Sequence, residues 1–372
     1  MKNVKNPGFY NPDNAANFFY NENLAQVKSE ALKFAKSVNL KPSASDKVKI
    51  NLLLIDVQRD FCHPEGTLYV GGRSGVGAIE DSKRIAEFIY KNVDLITKTT
   101  VTLDTHFPLQ IFFSNFFVDK NGMELNPHTL IDVKEVSGKK YLINMDLAGN
   151  MINDFVMPNP RVALELGVSL DWLYKQCVYY CEQLKDPSSG RKKYTLYLWP
   201  EHCMIGTIGH TLVGVVNEAR MFHAYARSNQ PAIEIKGGHP LSENYSIVQP
   251  EVLTRFDGNP SNLQRNTKFL DHLLKDDIVI IAGQASSHCV ASSIDDILQE
   301  ILNTNPKLAE KIYILEDGTS AVAVPDGNGG FLADFTDEAN AAMDRFRASG
   351  MHIVKSTDDI ASWPGVAHDL LG

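Results

Sequence analysis

Six short runs rich in β-branched and other apolar residues recur along the chain, with stretches of helical periodicity between them. The runs are KINLLLID (49–56), KTTVTLDTH (98–106), PAIEIKG (231–237), DIVIIAGQ (277–284), KIYILEDG (311–318) and MHIVKST (351–357). The first is almost continuously apolar, as in a strand covered on both faces of a parallel sheet. Segments 81–96, 288–302 and 337–350 have the spacing of helices, the last stopping at Gly350. Such alternation predicts an α/β fold with a doubly wound parallel sheet.

Two regions depart from this rhythm. Residues 1 to about 46 read as a leader, with a helix in NLAQVKSEALKFAKSV, and residues 47–372 read as the main domain. Roughly residues 110–195 form a large insertion on that domain. It holds a helical SLDWLYKQCVYYCEQL segment and a turn at DPSSGRKK. The Gly-rich stretches GGRSGVG (71–77) and DGNGG (326–330) read as loops, the first a mobile one; it lacks a preceding strand and the phosphate-binding lysine.

Bulk properties exclude several classes. The chain has 372 residues, 44% hydrophobic and 22% charged, with net charge -9. Acidic balance gives no support to nucleic-acid or anionic-membrane binding. Five sparsely spaced cysteines in a long chain argue against a disulfide framework. Cys177 and Cys181 are one helical turn apart and read as a packed face. The first residues carry no signal-peptide pattern and no stretch has the length of a membrane span, so a cytoplasmic protein is expected.

Three residues at strand ends could carry chemistry. Asp56 ends the first apolar run, where open α/β sheets place ligands, although an aspartate there also suits a turn or helix cap. Cys289 opens a helix after a run of small residues. The helix N-terminus favours a thiolate and offers backbone N–H groups to an oxyanion, and a packed structural cysteine is the alternative. Lys236 ends another strand; alone it reads equally as a lysine snorkelling to the surface. Asp104 and His106 lie two apart on a strand, hence on one face. With His202 of WPEHC they offer two imidazoles and a carboxylate, a set suited to zinc, iron or manganese.

Taken in order, these segments resemble the nicotinamidase and isochorismatase-like family of cysteine hydrolases. IDVQRDFC is similar to the family's opening signature and TLDTH to its metal motif. WPEHC, KGGHPLSENYS and GQASSHCVASS are similar to its later motifs, and the resemblance spans about 49–358 outside the insertion. It implies a six-stranded parallel sheet with helices on both faces. It also implies a triad in which Asp56 is general base, Lys236 stabilises charge and Cys289 attacks an amide to form a thioester. The N–H groups of Ala285 and Cys289 would form the oxyanion hole, with a cis peptide between Gln284 and Ala285. Asp104, His106 and His202 would hold one divalent metal, zinc first and iron or manganese otherwise. Phe61, Trp199 and Tyr245 would flank a small-molecule amide.

The implied reaction converts nicotinamide to nicotinate and ammonia, within NAD salvage, in a chain that forms a homo-oligomer. There are departures: Gln110 stands where many nicotinamidases have a second histidine, Ser286 and Ser287 replace a common Thr-Asp, and the insertion separates the two metal motifs. Another small amide, imide or carbamoyl substrate therefore stays open, as does a non-catalytic scaffold. Retention of all three triad residue types argues against the scaffold.

Overall fold

The computed structural model describes residues 6–186 and 194–366. Most of the DPSSGRKK turn lies outside them. In chain order the helices are α1 (Leu24–Ser37), α2 (Arg59–Cys62), α3 (Gly77–Lys91), α4 (Pro160–Glu165), α5 (Leu170–Lys185), α6 (Gly214–Ala226), α7 (Thr267–Leu273), α8 (Cys289–Thr304) and α9 (Thr336–Ala348). The strands of the main sheet are β1 (Ile50–Ile55), β2 (Lys98–Asp104), β8 (Ala232–Lys236), β9 (Ile278–Gly283), β10 (Ile312–Leu315) and β13 (His352–Val354). The insertion supplies β3 (Phe117–Asp119), β4 (Thr129–Val136), β5 (Lys139–Met145), β6 (Met151–Pro158) and β7 (Leu196–Leu198). A hairpin of β11 (Ala323–Pro325) and β12 (Phe331–Asp334) turns at the DGNGG stretch.

All six expected strands join one parallel sheet, in the order β13-β10-β9-β1-β2-β8. The chain winds outward from β1 through β2 to β8, then restarts at β9 on the other side of β1. The switch point therefore falls between β1 and β9, and a crevice opens there at the strands' carboxyl ends.

Strand alternation divides the core into two layers. Leu52, Leu54, Ile280, Ala282, Tyr313 and Leu315 face α1, α3 and α6. Leu53, Ile55, Val279, Ile281, Ile312 and Ile314 face α7, α8 and α9. Because both faces are covered, β1 and β9 are apolar throughout and show no polar alternation.

The leader packs into the first layer. Asn23 caps α1 by accepting a hydrogen bond from Gln26 N at 3.1 Å, and Val27 and Ala31 are buried. Phe9, Phe34 and Tyr90 surround the ring of Phe222 on α6. Arg59 donates to the carbonyl oxygens of Phe18 and Tyr20, which ties the leader to the segment just after Asp56.

The insertion builds its own antiparallel sheet, β3-β6-β5-β4-β7, backed by α4 and α5 around a third apolar cluster. β4 and β5 meet in a two-residue turn at Ser137 and Gly138, both at positive φ, which matches the twist of a tight hairpin. β7 completes this sheet at Leu198, so the unit runs a few residues beyond 195 and ends directly at Trp199. Cys177 and Cys181 are packed inside it. All five cysteines are buried and free. Among the described residues no helix is long and apolar enough to cross a membrane. The GGRSGVG loop is held in place rather than loose: Arg73 pairs with Asp334 at 2.7 Å and with Asp337 at 3.2 Å.

Phe222→Ala should remove the ring on which leader, α3 and α6 converge, at a cost of about 3–5 kcal/mol. A urea midpoint unchanged from wild type would show that the leader is not part of the cooperative core.

Candidate active site

The sheet register brings the strand ends together. Asp104 lies beside Lys236 across the β2–β8 pair, and Ile55 lies beside Gly283 across β1–β9. Two glycines permit the close approach. A Cβ on Gly283 would fall 2.0 Å from Ile55 O, and one on Gly237 would fall 2.5 Å from Asp104 Oδ1. Asp56 turns the chain at φ 48, a conformation that aspartate tolerates better than most residues. Thr102 holds it there: Asp56 N donates to Thr102 Oγ1 at 3.0 Å, and Thr102 Oγ1 donates to Asp56 Oδ1 at 2.5 Å.

Lys236 is the hub. Its Nζ lies 2.9 Å from Asp56 Oδ2, 3.0 Å from Asp104 Oδ1 and 3.6 Å from Cys289 Sγ. It also donates to Asn244 O at 2.9 Å. All four side chains are buried. Burial works against the lysine's charge, but Asp104 and Asp56 outweigh it and raise Lys236 well above its ordinary value. Burial alone would also raise Asp104; the charges of His106 and Lys236 prevail and hold its carboxyl below the usual range.

Cys289 differs from the expectation for a helix N-terminus. Burial is the dominant influence and raises its thiol well above the ordinary value, against the pull of Lys236. Burial raises Asp56 as well, with Lys236 opposing. Burial thus favours the protonated thiol, and a cysteine so placed acts as a nucleophile only with a base to take its proton.

The turn before Cys289 is shaped by one side-chain and one backbone hydrogen bond. The Gln284–Ala285 peptide is cis, at the expected bond. Gln284 Nε2 donates to Asp81 Oδ2 at 2.9 Å, and Ser286 N donates to Ser320 O at 2.8 Å. Among the described residues the N–H groups of Ala285 and Cys289 donate to no backbone carbonyl. Such unsatisfied donors at a helix start can receive a negatively charged oxygen.

Asp104, His106 and His202 converge, their ligand atoms all within 4.8 Å of one another. His106 Nε2 is 3.0 Å and His202 Nε2 3.8 Å from Asp104 Oδ2. Each ring uses Nδ1 on a carbonyl, His106 on Gly237 O at 3.1 Å and His202 on Pro200 O at 2.8 Å. This second contact fixes the tautomer and aims Nε2 lone pairs inward, as metal-binding histidines require. Burial and the neighbouring His106 lower His202 to about 3, so its imidazole is neutral. The donor set fits a divalent cation for a further reason: two buried carboxylates, Asp56 and Asp104, face a single buried lysine, and a cation would offset the surplus negative charge. Gln110 does not join them. Its Nε2 donates to Gly237 O at 2.6 Å, so it buttresses the loop that orients His106.

A small cavity of about 40 Å³ opens on Cys289, Ala285, Asp104, His106 and His202. Phe61, Trp199 and Tyr245 all line it, and the Phe61 ring packs on His202 with centroids 5.4 Å apart. Several residues here were not singled out from sequence. Gln58 clamps the backbone of Asp104, accepting from Asp104 N at 2.7 Å and donating to Asp104 O at 2.8 Å. Asp60 accepts from Cys203 N at 2.7 Å and so positions the WPEHC run. Polar residues within IDVQRDF, directly after a buried strand, were the available signal. Glu243 accepts from Trp199 Nε1 at 3.0 Å and from Tyr194 Oη at 3.2 Å. Nothing local in sequence foretold it, because its partners come from the insertion.

Solved structures similar to this chain include a nicotinamidase–pyrazinamidase of Acinetobacter baumanii. It shows 18% identity over 83% of this chain and 97% of that one, at TM-score 0.45. The yeast nicotinamidase bound to the inhibitor nicotinaldehyde is 18% identical over 82% of this chain and 99% of that one, at TM-score 0.46. A Pyrococcus horikoshii pyrazinamidase in complex with zinc is 16% identical over 82% and 99%, at TM-score 0.40. No protein-family model matches the sequence, and no curated protein matches it.

Burial raises Glu243 from 4.5 to about 8. An acid with a raised folded value holds a proton that the unfolded chain has lost, so its contribution fades as pH climbs through that window. Glu243→Gln should therefore flatten the decline of the thermal midpoint between about pH 5 and 8. An unchanged slope in the variant would refute the assignment.

Proposed function

We propose that this protein is a cysteine amidohydrolase that cleaves a primary carboxamide to a carboxylate and ammonia. The contact of Lys236 Nζ with Asp56, Asp104 and Cys289 at 2.9, 3.0 and 3.6 Å supports it best. A buried thiol, carboxylate and ammonium at one strand-end crevice form a nucleophile, a base and an electrostatic anchor.

In this reading Asp56 accepts the Cys289 thiol proton as sulfur bonds to the amide carbon. The oxyanion that develops is received by the N–H groups of Ala285 and Cys289. Asp56 returns the proton to the departing nitrogen, ammonia leaves and a thioester remains. Asp56 then takes a proton from water, which attacks the thioester carbon. Collapse releases the carboxylate and restores the thiol. Lys236 keeps Asp56 oriented and offsets negative charge throughout.

Asp104, His106 and His202 would hold a divalent cation, zinc first among candidates. When bound it supplies a Lewis-acidic position that can engage a lone pair on the substrate. Phe61, Trp199 and Tyr245 suit a flat ring, which makes nicotinamide the first substrate to test, in an NAD-salvage step of the cytoplasm.

Cys289→Ala should lower ammonia release from nicotinamide or another primary amide by at least about 10³-fold. Asp56→Asn should lower it by about 10²–10⁴-fold. Wild-type thermal midpoints in both variants would separate chemistry from folding. Full activity in Cys289→Ala would end the thioester mechanism. His202→Ala should reduce bound zinc per chain, measured by elemental analysis after dialysis. Retention of stoichiometric zinc would remove His202 from the ligand set.

A further inference from the structure

The small cavity beside Cys289 has room for about three or four water-sized groups. That accommodates a carboxamide, with its first ring against Phe61, Trp199 and Tyr245, and no longer body. A much larger cleft, about 940 Å³, lies next to it. One wall is the insertion, at Leu130, Tyr194 and Tyr197; the other is α8 and α9, at Leu298, Leu302 and Ala341. This volume belongs to the range of sites that enclose a whole organic ligand.

The two spaces share a partition. Trp199, Tyr245 and His288 line both. The His288 ring lies 5.4 Å from Trp199 and 5.4 Å from Tyr245, centroid to centroid. His288 is also the residue directly before Cys289. A molecule whose reacting group sits at the thiol thus has its nearest roomy space past these three rings.

We propose that the cleft is a second part of the same active site. It takes the body of an elongated primary amide whose carboxamide occupies the small cavity; the inference rests on the amidohydrolase reading above. The walls specify the body. Leucines on both sides, with tyrosines on the insertion side, favour an apolar chain or ring system. Of the carboxylates at the cleft, Asp295 pairs with Arg345 at 2.7 Å and Asp334 with Arg73 at 2.7 Å, so the apolar surface specifies the body. The insertion thereby sets substrate length, a property that the triad alone does not carry.

The test is ammonia release by the full chain loaded with zinc. The substrates are nicotinamide, benzamide, and 3- and 4-hexyloxybenzamide. At least one hexyloxy amide should exceed benzamide in kcat/KM by about tenfold or more, since each buried methylene contributes about 0.8 kcal/mol. Ala341→Trp should collapse the ratio of long to short amide towards one. Leu332→Trp, on the exposed lip of the same cleft, repeats the test if the first variant folds poorly. Hydrolysis of short amides with no gain from extension, or a ratio untouched by both variants, overturns the cleft and leaves the hydrolase. No hydrolysis of any amide overturns the hydrolase reading and the cleft with it.

Discussion

A buried ammonium held between two carboxylates organises this molecule. Lys236, at the end of edge strand β8, reaches Asp104 on β2 and Asp56 beyond β1 across the carboxyl ends of the sheet. Burying such charges is costly unless every partner is in place. The surroundings meet that demand: Thr102 and Gln58 hold the carboxylate-bearing segments, and Asn244 O accepts from the ammonium. Gly237 and Gly283 leave the room in which the strand ends meet. If one partner is lost, a charge remains buried without compensation.

The same charges control the cysteine. Burial raises its thiol while Lys236 pulls it down, and the first effect prevails. Burial therefore favours the protonated thiol. That differs from a pre-formed thiolate at an exposed helix start. The difference arises because Cys289 lies inside the crevice, where desolvation exceeds what a helix dipole supplies.

Beside this centre, the insertion builds a sheet and an apolar core of its own. Its sheet ends at Trp199, whose indole N–H donates to Glu243 and Tyr245. The insertion's core and the small cavity thus meet through aromatic residues, Trp199 and Phe113 among them. The insertion also raises the far wall of the large cleft. The charged cluster and the cleft wall thus belong to different layers, the first to the parallel sheet and the second to the antiparallel one.

Much of this was legible in linear order. The six strands could be read because burial on both sheet faces demands unbroken apolar runs. Asp56 and Lys236 stood out because they end such runs, and Asp104 because it lies two residues before His106 on one face of a strand. His106, His202 and Cys289 followed from spacing and helix position, and these residues do converge. Gln110 illustrates the limit: it follows His106 by four residues, but its amide is spent on the carbonyl of Gly237, 127 positions away. Glu243, His288 and the cleft depend likewise on surfaces contributed by distant segments. Local pattern determined the strands, their ends and the kinds of chemistry available. Only tertiary packing decided the protonation of the thiol, the partners of each polar group and the space beside them, because desolvation and distance exist only once the chain has closed on itself.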